Sequence, residues 1–489
     1  MATPLSLDAL PTLPEGVGRP GYARESLSPG ILHVGVGNFH RAHMGVYLDR
    51  LFSQGRDHDF AILGAGVRPG DAAMRERLGA QDWLTTVVEL DPSGLSARVT
   101  GAMIDFVPVD PEAIIAAMSD PRIRIVSTTV TEGGYYVDAV TDGFAAGHPD
   151  MVADAGSPES PRTVFGMVLA ALRRRRDAGT PPFTFLSCDN LPENGHVAKR
   201  TVTGLARLQD PAFASWVEGN VAFPNSMVDC ITPATSDRER RLVAERFGIA
   251  DAAPVACEPF RQWVLEDDFP QGRPRIEEVG AEFVADVAPY ELMKLRILNG
   301  GHAAIAYPGA LLGHHFVHDA MADGRIASWL DALTRREIQP TLDPIPGVSY
   351  DAYRELIASR FANPEVGDTI PRLCLDGSNR QPKFILPTLR DALAEGRPHE
   401  GLSLEVALWC RYCAGTDERG NAIPPNDESW EELRARAEDA RKDPDAFLGL
   451  ALVFGDLGQD GRFREGFGRQ LRSLWERGVE ATLASYVGG

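Results

Sequence analysis

The pattern of apolar and polar positions changes character once along the chain. From residue 31, short apolar runs alternate with amphipathic stretches. ILHVGVG (31–37) is a continuous apolar strand ending in glycines, and DFAILGAGV (59–67) repeats the form. RIRIVSTTV (122–130) and PFTFLSCDN (182–190) predict further strands buried on both faces. VFGMVLAALRRRRDAG (164–179) has a helical stripe, a basic last turn and a C-terminal glycine. Such alternation predicts a parallel sheet covered by helices on both sides. WLTTVVELD and LSARVTGAMIDFVPV read as a hairpin-like insertion in that scheme.

After about residue 286 helical periodicity takes over, as in LMKLRILNGGHAAIAY, ASWLDALTRREI, YDAYRELIASRFA, LPTLRDALAEG, SLEVALWCRYCAG and SWEELRARAEDARKD. The pattern therefore predicts an α/β chain: a Rossmann-type doubly wound sheet domain with a β insertion over 1–285, then a mostly α-helical domain over 286–489. The segment KLRILNGGH (294–302) opens the second domain, beside the interdomain cleft where ligand pockets are common.

Composition narrows the function classes. The chain has 489 residues and a net charge of −20, which speaks against nucleic acid and anionic membrane surfaces as partners. No apolar run is long enough for a membrane span and the first twenty residues do not form a secretory signal, so a cytoplasmic location is expected. Six cysteines (188, 230, 257, 374, 410, 413) read as reduced thiols, with Cys410 and Cys413 buried in a helix. His314 and His318 have a metal-like i, i+4 spacing, but no glutamate completes an HExxH motif. No metal is expected.

The first chemical signal is GVGNFHRAH, which follows the strand ILHV directly. Gly35 and Gly37 allow a tight turn and let a phosphate approach the backbone at a helix N-terminus. The third glycine of GxGxxG is missing. His40, Arg41 and His43 fall on the first helical turn, as cofactor contacts or solvent-exposed residues. The second strand should end near the adenosine ribose, where GAGVRPGD offers Asp71, favouring NAD, and Arg68, which would tolerate the 2′-phosphate of NADP.

The second signal is KLRILNGGH. If the segment is α-helical, Lys294, Asn299 and His302 line one side over roughly 12 Å of axis. Gly300 and Gly301 cost roughly 1 kcal/mol each against alanine, which implies a close backbone approach or a bend. A desolvated lysine can act as general base for alcohol oxidation, and a side-chain amide can stabilise the alkoxide without carrying charge. Asn299 fits that role, as does Asn190 at the end of PFTFLSCDN; His302 could orient a hydroxyl. A snorkelling lysine beside a polar helix cap fits the segment equally well.

These blocks, with VSTTVTEGGYY, PRTVFG, SCDNLPENG, FPNSMVDCITP, CEPFRQWVLED and PYELMKLRILNGGH, resemble the polyol-specific long-chain dehydrogenases nearly end to end. The resemblance implies an NAD-dependent, metal-independent oxidation of a polyol to a ketose, D-mannitol to D-fructose first, with arabinitol, glucitol and fructuronate as alternatives. It implies Lys294 as general base, Asn190 and Asn299 as the oxyanion pair, His302 holding substrate and Glu291 gating or relaying the proton. Asp229, Arg372 and Arg380 would contact substrate hydroxyls. Gly35, Gly37, Asn38, Phe39, Arg68, Asp71 and Glu132 would contact the cofactor. Arg380 stands where the family has lysine, and Gly70 where an acid often precedes the aspartate. A monomer or weak homo-oligomer is implied. A metal-dependent hydrolase built on His40 and His43 or on the 314–318 histidines, and a non-catalytic dinucleotide-binding protein, are the rival classes.

Overall fold

The computed structural model describes residues 2–138 and 143–489. They form two compact units, Met1–Ala288 and Pro289–Gly489.

In the first unit, β1 (Pro29–Val34), β2 (Ala61–Ala65), β3 (Met103–Phe106), β4 (Ile125–Thr128) and β5 (Thr184–Ser187) form a parallel sheet in the order β3-β2-β1-β4-β5. The chain starts in the middle, winds outward through β2 and β3, then returns to the other side of β1. That reversal places a topological switch point between β1 and β4, where doubly wound sheets bind ligands. The strands read as unbroken apolar runs because both faces are covered. Leu32, Val34, Val126 and Phe185 pack with helical residues such as Ile114, Val168 and Val202 on one face. Ile31, Ile62, Ile125 and Leu186 pack with Leu48, Leu51 and Trp263 on the other.

The expected hairpin exists as Thr85–Glu89 paired antiparallel with Ser96–Thr100. A third strand, Val255–Cys257, joins it in parallel. The tail of the same stretch departs from expectation: Met103–Phe106 leaves the hairpin and becomes β3, paired with β2. Its Met103 and Phe106 are buried against the sheet core. A further small sheet joins Ser226–Asp229, Gln262–Glu266 and Glu282–Val284.

The second unit is helical; among its described residues only isolated bridges, such as Phe316–Thr369, have β pairing. Cys410 and Cys413 lie buried in helix Glu400–Cys413, and all six thiols are free. Glu337 caps that helix: its carboxylate accepts hydrogen bonds from Gly401 N (2.7 Å), Leu402 N (2.9 Å) and the Tyr486 hydroxyl (2.9 Å). Among the described residues no helix is long and apolar enough to cross a membrane.

The helix expected over 294–302 is not uniform. Ala288–Met293 is α-helical, Lys294–Asn299 is a π-helix, and Gly300–Leu312 is α-helical again. Gly300 N donates to Leu295 O, five residues back. The wider turn breaks the regular 100° spacing assumed for Lys294, Asn299 and His302.

Candidate active site

β1 runs through Gly35-Val36-Gly37 into α1 (Asn38–Ala42), then breaks at His43 (φ −110°, ψ −89°) before α2 (Met44–Ser53). Gly35 has φ +102°, and a Cβ there would lie 2.2 Å from Thr129 O, so only glycine fits. Gly37 is exposed, and the nearest atom to a Cβ there would be Gly35 O at 3.9 Å. The backbone at the start of α1 is therefore open to a close-approaching group such as a phosphate. This fits a dinucleotide.

The neighbouring side chains hold the turn from within. Asn38 Nδ2 donates to Pro233 O (3.2 Å) and its Oδ1 accepts from Arg41 Nη2 (2.8 Å). Phe39 stacks on His43, with ring centroids 4.8 Å apart. His40, Arg41 and His43 are all buried, which corrects the expectation of solvent exposure. His40 stacks on His33 at 3.5 Å, Arg41 donates to the carbonyls of Gly37 and Ala253, and His43 Nε2 lies 2.9 Å from Gln262 O. The segment 253–262 supplies that cover from more than 200 residues away. Burial holds the His40 imidazole well below its ordinary range and pulls Arg41 down to about 10.

Asp71 is not the last residue of the second strand. It occupies the first turn of helix Pro69–Gly79, where its Oδ2 accepts from Arg68 N at 2.8 Å. It nevertheless folds back over the strand end, for a Cβ on Gly66 would lie 2.3 Å from Asp71 Cβ. Arg68 Nη2 reaches Val130 O at 3.4 Å, spanning from the end of β2 to the segment after β4. The side chain of Glu132 lies outside the described residues; its backbone opens a single helical turn, Glu132–Tyr135.

Sequence reading passed over the residues that organise this edge. Buried Asp189 accepts from Val130 N (3.1 Å), Thr131 N (2.8 Å) and the Tyr135 hydroxyl (2.6 Å). Asn194 Nδ2 donates to Ser187 O (3.2 Å), Asp189 O (3.1 Å) and Ser226 O (2.8 Å). Together they fix the loop that carries exposed Asn190, three residues beyond β5. An acid and an amide directly after an apolar strand were the available signal. Asp229 ends strand Ser226–Asp229, buried opposite Gln262.

In the second unit, Lys294 opens the π-helix and is only 7% exposed. Glu291, 8% exposed, precedes it by one helical turn. The Asn299 side-chain oxygen is buried and accepts no hydrogen bond. His302 stacks on Phe361, with ring centroids 4.2 Å apart. One of the two glycines now has a reason: a Cβ on Gly301 would sit 3.2 Å from the Phe361 ring, whereas one on Gly300 would meet Phe384 O at 3.4 Å, an ordinary contact.

Burial holds His302 down at about 3; Asp368 opposes the shift, and Arg372, Arg380 and Arg360 reinforce it. The imidazole is therefore neutral at any working pH and serves as a hydrogen-bonding group. Arg372 pairs with Asp368, with Nε 2.5 Å from Oδ1. Arg380 donates to Leu373 O (3.0 Å), and its guanidinium lies 5.6 Å from the centre of the Phe384 ring. Asp368 and Arg360 are members of this cluster that the sequence did not single out. The histidine pair 314 and 318 is not on one helix: Gly313 (φ +84°) ends Gly300–Leu312, and a new helix starts at Val317. Among the described residues no group of three or more His, Cys, Asp or Glu side chains is placed to hold a metal.

Residues 29–278 match the family described as the mannitol dehydrogenase Rossmann domain, and residues 286–475 match the mannitol dehydrogenase C-terminal domain. The chain is 58% identical to mannitol 2-dehydrogenase of Cereibacter sphaeroides over 96% of its length and 99% of that protein. Its fold is similar to that of Pseudomonas fluorescens mannitol 2-dehydrogenase solved in ternary complex with NAD and D-mannitol, with a TM-score of 0.87 and 39% identity over 99% of this chain and 100% of that one. It is also similar to a D-sorbitol dehydrogenase in substrate-free form, with a TM-score of 0.90 and 36% identity over 98% and 100% of the two chains. With the Rossmann turn in one unit, the lysine-bearing π-helix in the other and matches over nearly its whole length, the chain belongs to the mannitol dehydrogenase family, oxidoreductases that act on CH–OH donors.

Proposed function

We propose that this protein oxidises a polyol to a ketose with NAD, D-mannitol to D-fructose being the leading pair, in a reversible reaction. The carrying observation is the 294–302 segment, where a buried lysine, an uncharged amide and a neutral histidine follow one another on one irregular helix. The likeness to a ternary complex with NAD and D-mannitol supports the choice of cofactor and substrate.

Lys294 Nζ takes the proton from the carbinol hydroxyl, and Glu291, one turn earlier, relays it onward. Asn299 donates through its amide to the developing alkoxide, and Asn190 of the first unit is assigned the same role. His302, held neutral and stacked on Phe361, positions a substrate hydroxyl. Asp229, Arg372 and Arg380 are assigned to further hydroxyls. Gly35, Gly37, Asn38 and Phe39 form or brace the turn that would hold the dinucleotide; Arg68, Asp71 and Glu132 are assigned to its ribose end, with Asp71 favouring NAD over NADP. NAD supplies the hydride acceptor when bound. No metal is invoked.

The test is NAD⁺ reduction followed at 340 nm with mannitol, glucitol, arabinitol and xylitol, with and without chelator. A mannitol-led, chelator-insensitive signal is expected. Glucitol, that is sorbitol, is the second reading, favoured by the similarity to the D-sorbitol dehydrogenase; a glucitol-led panel would replace mannitol with it. Silence on every polyol would sink the proposal.

A further inference from the structure

β1 carries one residue that a strand buried on both faces does not ask for. His33 is fully buried in the central strand and points to the α2 face together with Ile31. Its Nδ1 lies 2.8 Å from Ser127 Oγ on β4, and its Nε2 lies 3.0 Å from Thr129 Oγ1 and 3.2 Å from Gly35 O. The protonation pattern follows from these partners. Thr129 spends its hydroxyl proton on Gly35 O at 2.7 Å, so its oxygen accepts, and the donor facing it is Nε2–H. Nδ1 then accepts from Ser127. Burial holds the ring at about 3, so this tautomer persists through the working pH range.

One atom gathers these donors. The carbonyl of Gly35 accepts from Gly37 N (2.7 Å), Thr129 Oγ1 (2.7 Å) and His33 Nε2 (3.2 Å). Gly35 is also the residue held at φ +102°, one of the several conformations open to a glycine, so fixing it costs conformational entropy. His40, the first buried ring of α1, stacks on His33 at 3.5 Å with 12° between the planes. The same imidazole thus supports both the positive-φ glycine and the helix it opens.

Building on the dinucleotide reading above, we propose that His33, with Thr129, is a positioning residue for the cofactor: together they pin the Gly35 carbonyl and so preform the turn on which the dinucleotide diphosphate docks. Affinity for NAD then includes no cost of ordering that turn. The role is distinct from filling the core, because it depends on donors aimed at a single carbonyl.

The experiment is titration of the full-length protein with NADH, read by fluorescence, beside thermal melting and steady-state kinetics. His33→Leu and Thr129→Val each remove one donor while keeping similar bulk, and Thr129→Ser keeps the hydroxyl. Leu51→Ala, in the same core but with no hydrogen bond to the carbonyl, controls for lost packing. The expected result is NADH affinity weaker by tenfold or more in His33→Leu and Thr129→Val, with KM for NAD rising while kcat at saturating NAD stays within about threefold. Thr129→Ser should restore affinity, and Leu51→Ala should lower the melting temperature without changing it. Wild-type binding with both donor variants within twofold of it would overturn the inference alone; if His33→Leu does not fold, Thr129→Val decides. Wild-type protein that does not bind NADH would overturn the dinucleotide reading itself.

Discussion

Lys294 and Asn299 occupy the two ends of one π-helix, and their proposed roles make different demands on a variant. Removing the base should abolish proton transfer while leaving the Rossmann turn untouched. Lys294→Ala is therefore expected to lower turnover by several orders of magnitude with NADH affinity unchanged; a parallel loss of both would contradict the assignment. Removing one alkoxide donor costs less, roughly 10²–10³ in kcat by analogy with other oxyanion sites. Asn299→Ala should fall in that range, measured as kcat at saturating polyol. These residues were legible in the sequence because a lysine, an amide and a histidine interrupt an otherwise apolar helix. The burial of His40, Arg41 and His43 was not, because what covers α1 is the chain at 253–262 and no local pattern announces it. Asp71 was half legible: the sequence gives an acid beyond the second strand, but its use as a helix cap shows only in three dimensions.

At the scale of elements, the sheet strands and the change from sheet to helix follow from apolar periodicity, whereas the order of the strands and the π-turn do not. A π-turn adds one residue to a helical turn and leaves composition and apolar content unchanged, so the sequence shows only its companions, Gly300 and Gly301. Those glycines allow a test of the element. Alanine at 301 gains up to roughly 1 kcal/mol of helix propensity. Its Cβ must also share space with the Phe361 ring at 3.2 Å, and that ring stacks on His302. The two effects act on different observables. Gly301→Ala is expected to leave the melting temperature within a few degrees of wild type while raising KM for the polyol several-fold, through displacement of His302. A lower melting temperature with KM unchanged would mean that Phe361 serves packing only.

For the whole molecule, the buried titratable groups make stability depend on pH in opposite directions. His33 and His302 are each held at about 3 against an ordinary 6.5. The unfolded chain therefore takes up protons first, and their neutral-state stability is lost as pH falls from 6.5 towards 3. Glu405 is the reverse case. It is fully buried in helix Glu400–Cys413, its carboxyl accepts from Gln381 Nε2 at 2.8 Å, and burial pushes it up to about 8 from 4.5. It folds as the neutral acid, and its contribution is lost as pH rises from 4.5 through 8. In the second unit His302 and Glu405 oppose each other between pH 4.5 and 6.5, so stability there is nearly level. Among its described residues the first unit has two depressed histidines, His33 and His40, against one carboxyl raised by burial, that of Asp49. Acidification from pH 7 to 5 should thus open the β1–β5 amides to hydrogen exchange before the helices of the second unit. Glu405→Gln supplies the sharper test, since glutamine mimics the neutral acid without titrating. At about 1.4 kcal/mol per pKa unit the variant should gain on the order of a few kcal/mol over wild type at pH 8.5, seen as a melting temperature several degrees higher. At pH 4.5 the advantage should vanish. An advantage equal at both pH values would place its origin in packing rather than in the proton.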